Sequence, residues 1–161
     1  THLGLVLVSF VLSLVSSATT EIEGAFRRND PERLRPLLEK GSFLNISFSS
    51  PDVFSDLLSD EQTLLWLRGF FRSSRTLGFY PEGPAVQSLE NGSFVFKARW
   101  EVRTRDGRQT AYDILFLIRS ASFHPPGSRA PGRGFWKILQ IRAGGGEKKS
   151  VSAGLGRRDP G

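Results

Sequence analysis

The stretch FVFKARWEVR at residues 94–103 decides the fold, because apolar and polar side chains alternate along it with Val95 as the one exception. Its apolar positions would share one face of a strand: Phe94, Phe96, Ala98, Trp100 and Val102. A period of two residues is typical of a strand that buries one side of a sheet. The sequence therefore predicts a long, half-buried strand at this position.

The residues that follow predict its hairpin partner, since Asp106-Gly107 is a turn signal and residues 109–119 are again rich in apolar side chains. A two-residue turn would place Asp113 opposite Trp100 on the apolar face, where an unpaired carboxylate costs several kcal/mol. A three-residue turn with its glycine in the left-handed conformation places Asp113 opposite Arg99 on the other face. Because a one-residue slip exchanges the two faces, we predict the second register and an exposed ion pair.

Upstream of the hairpin, the pattern predicts helices with one strand among them. We expect helices over 19–29, 31–40 and 61–73, a short helical piece over 53–58 and a strand over 43–48. Thr20 and Glu23 have the spacing of a capping box, and Asp30 before Pro31 is a good N-cap. Asp60 is the N-cap candidate of the last and most apolar helix.

Around the hairpin, the remaining segments read as strands and turns. Short strands are expected over 77–80 and 85–89, followed by a turn at Asn91-Gly92. A loop over 120–134 precedes the last strand, over 135–142. From Ala143 the chain is rich in glycine and charge without apolar periodicity, so residues 144–161 are expected to be a disordered basic tail.

The first 18 residues have the pattern of an export signal. The apolar run from Leu3 to Val15 is too short for a bilayer span of about 20 residues, and small residues follow it up to Ala18. We read residues 1–18 as a signal peptide without a visible basic region, which predicts a periplasmic or secreted domain with no membrane span after cleavage. The alternative is an uncleaved N-terminal anchor.

Composition excludes several kinds of site. The chain has no cysteine, which excludes disulfides and thiol catalysis, and only two histidines, which excludes a multi-histidine metal site. It also has no nucleotide-binding or phosphate-binding motif, so we expect no cofactor. Residues 114–161 hold nine bases and two acids, whereas residues 1–113 hold 13 and 14. The charge of the C-terminal part is more simply a solvated tail than a nucleic-acid surface.

The order of elements resembles the superfamily named after nuclear transport factor two. The likeness extends over residues 19–143 and is carried by the first helix with its break at Asn29-Asp30-Pro31, by Gln62–Phe71, and by the closing Trp136-Lys137-Ile138. An uncharacterised exported bacterial branch looks most similar. The resemblance implies an α+β fold in which three N-terminal helices pack in a curved, mostly antiparallel sheet shaped like a cone.

The resemblance also implies an interior pocket and, in many members, dimerisation through the outer face of the sheet. The ligand-pocket candidates are aromatic: Trp66, Phe70, Phe94, Phe96, Trp100, Tyr112 and Phe116. The dimer-face candidates are Val95, Lys97, Arg99, Asp113, Leu115 and Leu117. Enzymes of the superfamily place acids, histidines or other polar groups in the pocket, and the predicted interior here has no histidine–aspartate pair.

Two hypotheses follow for function. The first is a non-catalytic domain that binds a small apolar ligand or a protein partner as a homodimer. The second is a small lyase, isomerase or hydrolase that uses the conical pocket, with Tyr80, Tyr112 and Asp113 as acid and base candidates. The sequence favours the first, although the aromatic side chains could also fill the interior and leave no cavity.

Overall fold

A computed structural model of the chain describes residues 16–49, 53–87, 93–120 and 136–145. Helix α1 covers residues 16–28, a 3₁₀ helix covers Pro31–Leu37, and helix α2 covers Asp60–Ser73. The strands are β1 Phe43–Phe48, β2 Phe54–Ser59, β3 Ser74–Pro81, β4 Val86–Gln87, β5 Ser93–Thr104, β6 Gln109–Ser120 and β7 Trp136–Gly145. The predicted α+β class is confirmed.

The strands form one curved, unclosed sheet in the order β2-β1-β7-β6-β5-β3, with β4 beside β5. Every strand pair is antiparallel except β1 and β7, which run parallel. The helices cover the inner face, where the apolar side chains are buried. Among the described residues, no helix is long and apolar enough to cross a membrane.

The register of the β5–β6 hairpin is the predicted one. Trp100 pairs with Tyr112, and Arg99 pairs with Asp113. The turn has three residues between Thr104 and Arg108, whose backbones hydrogen-bond at 2.9 Å. Gly107 has a φ of +84°, the left-handed conformation that this turn requires and that glycine adopts without a steric cost.

The first helix begins earlier than predicted. The described part of α1 starts at residue 16, so Thr20 lies inside the helix, and its hydroxyl donates to the Ser16 carbonyl at 2.9 Å. The predicted capping box of Thr20 is therefore wrong. Ala18, the residue of the predicted cleavage site, is only 3% exposed and packs in the core.

The other helix ends differ from the prediction by small, explicable amounts. Asp30 caps the 3₁₀ helix by accepting from the Glu32 backbone N–H, as expected, but the helix ends at Leu37 instead of residue 40. Pro36 lacks the N–H that an α-helix would need at this point. Helix α2 begins at Asp60 itself and is capped by Ser59, which forms a capping box with Gln62.

Residues 53–58 are not helical. Phe54–Ser59 forms strand β2, which pairs with β1 along its whole length. Phe54 and Leu58 pack against the core, whereas Leu57 stays exposed. The apolar positions 54, 57 and 58 fit either a helix or an irregular strand, and the hydrogen bonds of β1 decide between them.

The last strand extends beyond its predicted end at Arg142. Strand β7 continues to Gly145, and Ala143 is buried, so the expected loss of structure at Ala143 is wrong for these three residues. A bulge at Leu139 allows both Ile138 and Ile141 to face the core. The predicted signal segment up to residue 15, the Asn91-Gly92 turn, the loop from 121 and the tail from 146 lie outside the described residues.

Candidate functional site

The predicted pocket residues lie on the inner face of the sheet, but the structure divides them among three places. Trp66, Phe70, Trp100 and Tyr112 form one group, in which Phe70 and Trp100 have ring centroids 4.9 Å apart. Phe96 packs on Phe116 with ring centroids 6.0 Å apart. Phe94 lies apart from both and contacts the ring of Trp136.

Helix α1 fills the space between the first two groups. Phe26 is completely buried and touches the rings of Phe71, Phe79, Trp100 and Phe116 at centroid distances of 4.9–5.5 Å. Three of these four contacts are edge-on, which is a favoured geometry for aromatic pairs. Around Trp100 and Phe116, which are 0% exposed, the interior is therefore packed with side chains.

The aromatic interior reaches the surface beside strand β2. Phe54 stacks on Trp66 with ring centroids 5.3 Å apart and an interplanar angle of 19°. Phe54, Trp66 and Phe70 are all half-buried. We call these three residues the aromatic edge. Phe54 is not among the predicted site residues, because the sequence predicts a helical piece over 53–58 and its apolar residues do not alternate as those of a half-buried strand would.

Carboxyl and imidazole groups are absent from the buried side chains of the described interior. Its buried polar side chains are those of Thr63, Ser74 and Ser93. Of the predicted acid and base candidates, Tyr112 is 5% exposed and lies in the interior, whereas Asp113 is exposed on the outer face and Tyr80 is 51% exposed. Within the described residues, no group of three or more potential metal ligands is present.

The outer face of the sheet carries a groove of about 680 Å³. Three of the predicted dimer-face residues line it, namely Lys97, Asp113 and Leu115. A neighbouring hollow of about 530 Å³ is lined by Val95 and shares Lys97 and Leu115 with the groove. Arg99 and Leu117 belong to the same face of β5 and β6, so all six predicted residues lie on the outer side.

Strand pairing places the groove residues in one transverse row. Lys97 pairs with Leu115, Leu115 with Arg142, Arg142 with Ser47, and Ser47 with Ser55. Neighbouring strands are about 4.8 Å apart, so the backbones at Lys97 and Arg142 are separated by about 10 Å, with Leu115 between them. The groove therefore combines an apolar floor with cations on either side and serine hydroxyls at one end.

The predicted ion pair between Arg99 and Asp113 does not form, although the two residues oppose each other. The Arg99 guanidinium instead donates to Glu101 on its own strand, at 3.1 Å. Among the described residues, Asp113 has no ion-pair partner. The strand register places Arg99 and Asp113 opposite each other, but the flexible Arg99 side chain binds Glu101, two positions further along its own strand. An exposed carboxylate is therefore left on the outer face.

The perturbed carboxyl groups lie outside both the groove and the aromatic edge. Hydrogen bonds from Arg35 and Arg68 hold the pKa of Glu32 below its ordinary value. A hydrogen bond from the Thr104 hydroxyl, aided by Arg108, does the same for the pKa of Asp106. Both carboxyl groups are exposed. Their hydrogen bonds stabilise a turn and a contact between helices, and neither group is a candidate general acid or base.

Solved structures place this arrangement in a known fold. A structure of a DUF4783 family protein from Bacteroides uniformis has a TM-score of 0.59 at 13% identity, over 80% of this chain and 97% of that one. A proposed dehydratase of the nuclear-transport-factor-two-like family from Streptomyces avermitilis has a TM-score of 0.57 at 15% identity, over 86% and 98%. The chain has a nuclear-transport-factor-two-like fold.

A third solved structure, that of a proposed SnoaL-like polyketide cyclase from Mesorhizobium loti, has a TM-score of 0.50 at 12% identity, over 83% of this chain and 97% of that one. No sequence family and no curated protein matches the chain by sequence. At these identities the likeness concerns the fold alone. The recognition made from the sequence is thus confirmed at the level of the superfamily fold.

Proposed function

We propose that this chain is a non-catalytic binding domain that forms a homodimer through the outer face of its sheet. The observation that carries the proposal is the groove, where Leu115 lies between Lys97 and Arg142 while the carboxylate of Asp113 has no partner among the described residues. In a two-fold contact, the acid of each copy can meet the bases of the other, and each such contact occurs twice. The proposal includes export, on the strength of the apolar run that ends at Val15.

Catalysis is the alternative, since two of the similar structures are named as a dehydratase and a cyclase. General acid–base catalysis needs two titratable groups near one substrate atom. The described interior contains aromatic and aliphatic side chains and four buried hydroxyl groups, that of Tyr112 among them, and it contains no buried carboxyl or imidazole group. This composition supports a binding role over an enzymatic one.

The dimer is tested by sedimentation equilibrium of the full chain and of Leu115→Glu. The new carboxylate would lie between Lys97 and Arg142, so the monomer tolerates it, whereas a dimer interface would have to bury it. We expect dimers for the natural sequence and monomers for Leu115→Glu. Leu65→Glu is the matched control, because Leu65 is 59% exposed on helix α2, and it should remain dimeric.

Two results would contradict the dimer. One is a natural chain that sediments as a monomer at every concentration tested. The other is a Leu115→Glu variant that dimerises as tightly as the Leu65→Glu control. Circular dichroism of both variants shows whether each retains its sheet, which separates loss of the interface from loss of the fold.

The aromatic edge supports a second candidate function, the binding of a small apolar ligand. Phe54, Trp66 and Phe70 are half-buried, and among the described strands the one that carries Phe54 pairs with β1 alone, so a ligand ring could take its place on Trp66. Anilinonaphthalene sulfonate is a suitable probe. Its fluorescence should rise with the natural chain and with Leu65→Ala, but much less with Trp66→Ala, and equal responses from all three would contradict the site.

A further inference from the structure

One end of the domain carries a cluster of exposed arginines that belong to neither the groove nor the aromatic edge. The cluster, named here the arginine end, consists of Arg28, Arg72, Arg75, Arg103, Arg105 and Arg108. These are six of the 13 bases in residues 1–113, although the same residues hold 14 acids. The charge of a nearly neutral body is thus concentrated at one end.

Four separate parts of the chain converge there. Arg75 on β3 pairs directly with Arg103 on β5. Arg105, in the hairpin turn, donates from its side chain to the carbonyl of Arg72 at the end of α2, at 3.0 Å. Arg28 ends α1, next to Asn29, whose side chain binds the backbone of β3 at both neighbours of Arg75. These arginines come from separate parts of the sequence, and the tertiary fold brings them together.

Among the described residues, only one member of the arginine end has a carboxylate partner, since Asp106 binds Arg108. Like charges that oppose each other directly across two strands are destabilising, which makes the Arg75–Arg103 pair a cost to the isolated domain. The two acids beside it are already engaged, because Asp106 binds Arg108 and Glu101 binds Arg99. Among the described residues, neither Arg75 nor Arg103 has an acidic partner. An anionic partner would relieve this repulsion.

Apolar side chains beside the arginines indicate what kind of anion fits. Leu77 is 40% exposed at the bulge of β3, and Tyr80 is 51% exposed with its ring over Gly78. Arginine, tyrosine and an aliphatic side chain together suit the boundary between lipid headgroups and acyl chains, where each has a favourable environment. Guanidinium groups also match phosphate oxygens in a planar, two-pronged geometry.

We propose that the arginine end binds the anionic headgroups of a phospholipid membrane. This goes beyond the proposed dimer, and it uses Arg75, Leu77, Tyr80 and Arg103, none of which line the groove. A nucleic acid would use the same charges and could stack a base on Tyr80, but it offers no apolar phase for the exposed Leu77, whereas acyl chains do. Lipid is therefore the partner that accounts for both the charged and the apolar side chains.

The test is flotation of the full chain with vesicles, in low and in high salt. One set of vesicles is pure phosphatidylcholine and the other contains phosphatidylglycerol as well. A basic residue near an anionic surface contributes about 1 kcal/mol, so the double variant Arg75→Ser with Arg103→Ser should bind the anionic vesicles about 30-fold more weakly. The control, Lys40→Ser with Arg119→Ser, removes the same charge from exposed positions elsewhere and should bind as the natural chain does.

Binding confined to anionic vesicles, weakened by salt and by the Arg75/Arg103 double variant alone, would support the proposal. Equal binding to both kinds of vesicle, or an equal loss in the two double variants, would overturn it. So would binding to single-stranded DNA that is lost in the Arg75/Arg103 variant while vesicle binding is unchanged. Sedimentation of the Arg75/Arg103 variant as a dimer shows that the dimer and the membrane site are separate.

Discussion

Asp113 lies directly across from Arg99 on the neighbouring strand, yet the guanidinium of Arg99 binds Glu101 instead. Replacing Asp113 with alanine should therefore leave the free energy of unfolding of the monomer unchanged within about 0.5 kcal/mol. Urea unfolding at a protein concentration below that of dimerisation measures this. A loss of about 1 kcal/mol, the upper range for an exposed ion pair, would show that the carboxylate has a partner after all.

Phe26 is the centre of the packed interior, so its removal should be costly. Phe26→Ala would leave a void among four rings and is expected to lower the free energy of unfolding by about 3–5 kcal/mol. Phe43→Ala is the control, because Phe43 is 64% exposed, and it should cost less than about 0.5 kcal/mol. Similar losses in the two variants, measured by urea unfolding, would mean that the interior is loosely packed.

Two glycines should respond to alanine in opposite directions. Gly107 has a φ of +84°, where a Cβ atom is strained although no atom lies near it, so Gly107→Ala should destabilise the protein by about 1–2 kcal/mol. Gly69 lies in helix α2 with open space around its Cα, so Gly69→Ala should stabilise it by up to about 1 kcal/mol. Thermal unfolding measures whether each variant has a higher or a lower melting temperature than the natural protein. A fall in the melting temperature of Gly69→Ala would contradict this prediction.

The pH dependence of stability should involve Glu32, which joins the 3₁₀ helix to α2 by binding Arg68 and also binds Arg35 within the 3₁₀ helix. These partners lower the folded pKa of Glu32 below its ordinary value of 4.5. The unfolded chain then takes up the proton first, so the stabilisation is complete above about pH 4.5 and is lost as the pH falls through the folded pKa. Glu32→Gln should lose stability at neutral pH and show a flatter acid limb.

The control for this experiment is Glu39→Gln, because Glu39 is exposed and makes no ion pair within the described part of the chain. Its acid limb should match that of the natural protein. Both carboxyl groups are open to solvent, so the effect of Glu32 should shrink as salt is added. If the two variants had the same pH profile, the contacts of Glu32 with Arg35 and Arg68 would contribute nothing measurable.

Local chemistry made much of the fold predictable. The alternation over residues 94–103, broken only at Val95, and the cost of burying Asp113 were enough to choose one hairpin register, and the structure shows that register. Strand β1 and helix α2 were also predicted, because their apolar periods are unambiguous over their lengths. The order of these elements carried the resemblance that implied the cone-shaped fold.

Other features depended on contacts between distant parts of the chain. The apolar residues within 54–59 follow no regular period, and this segment forms a strand only because its backbone hydrogen-bonds to β1. The parallel neighbour of β1 is β7, about a hundred residues further along, and no local signal announces such a pairing. The ion-pair partner of Arg99 likewise depends on which carboxylate its side chain can reach on the folded surface. The spacing of residues in the sequence does not give this.

By itself, the sequence determined which side chains are inside, because a strand or helix with one apolar face has one favourable orientation. Only the tertiary structure decided which exposed side chains lie next to one another on the surface. The groove joins Ser47, Lys97 and Arg142 from three strands, and the arginine end collects residues from α1, α2, β3 and the β5–β6 hairpin. Exposed positions carry no burial energy to mark them in the sequence, so their juxtaposition emerges only when the sheet is assembled.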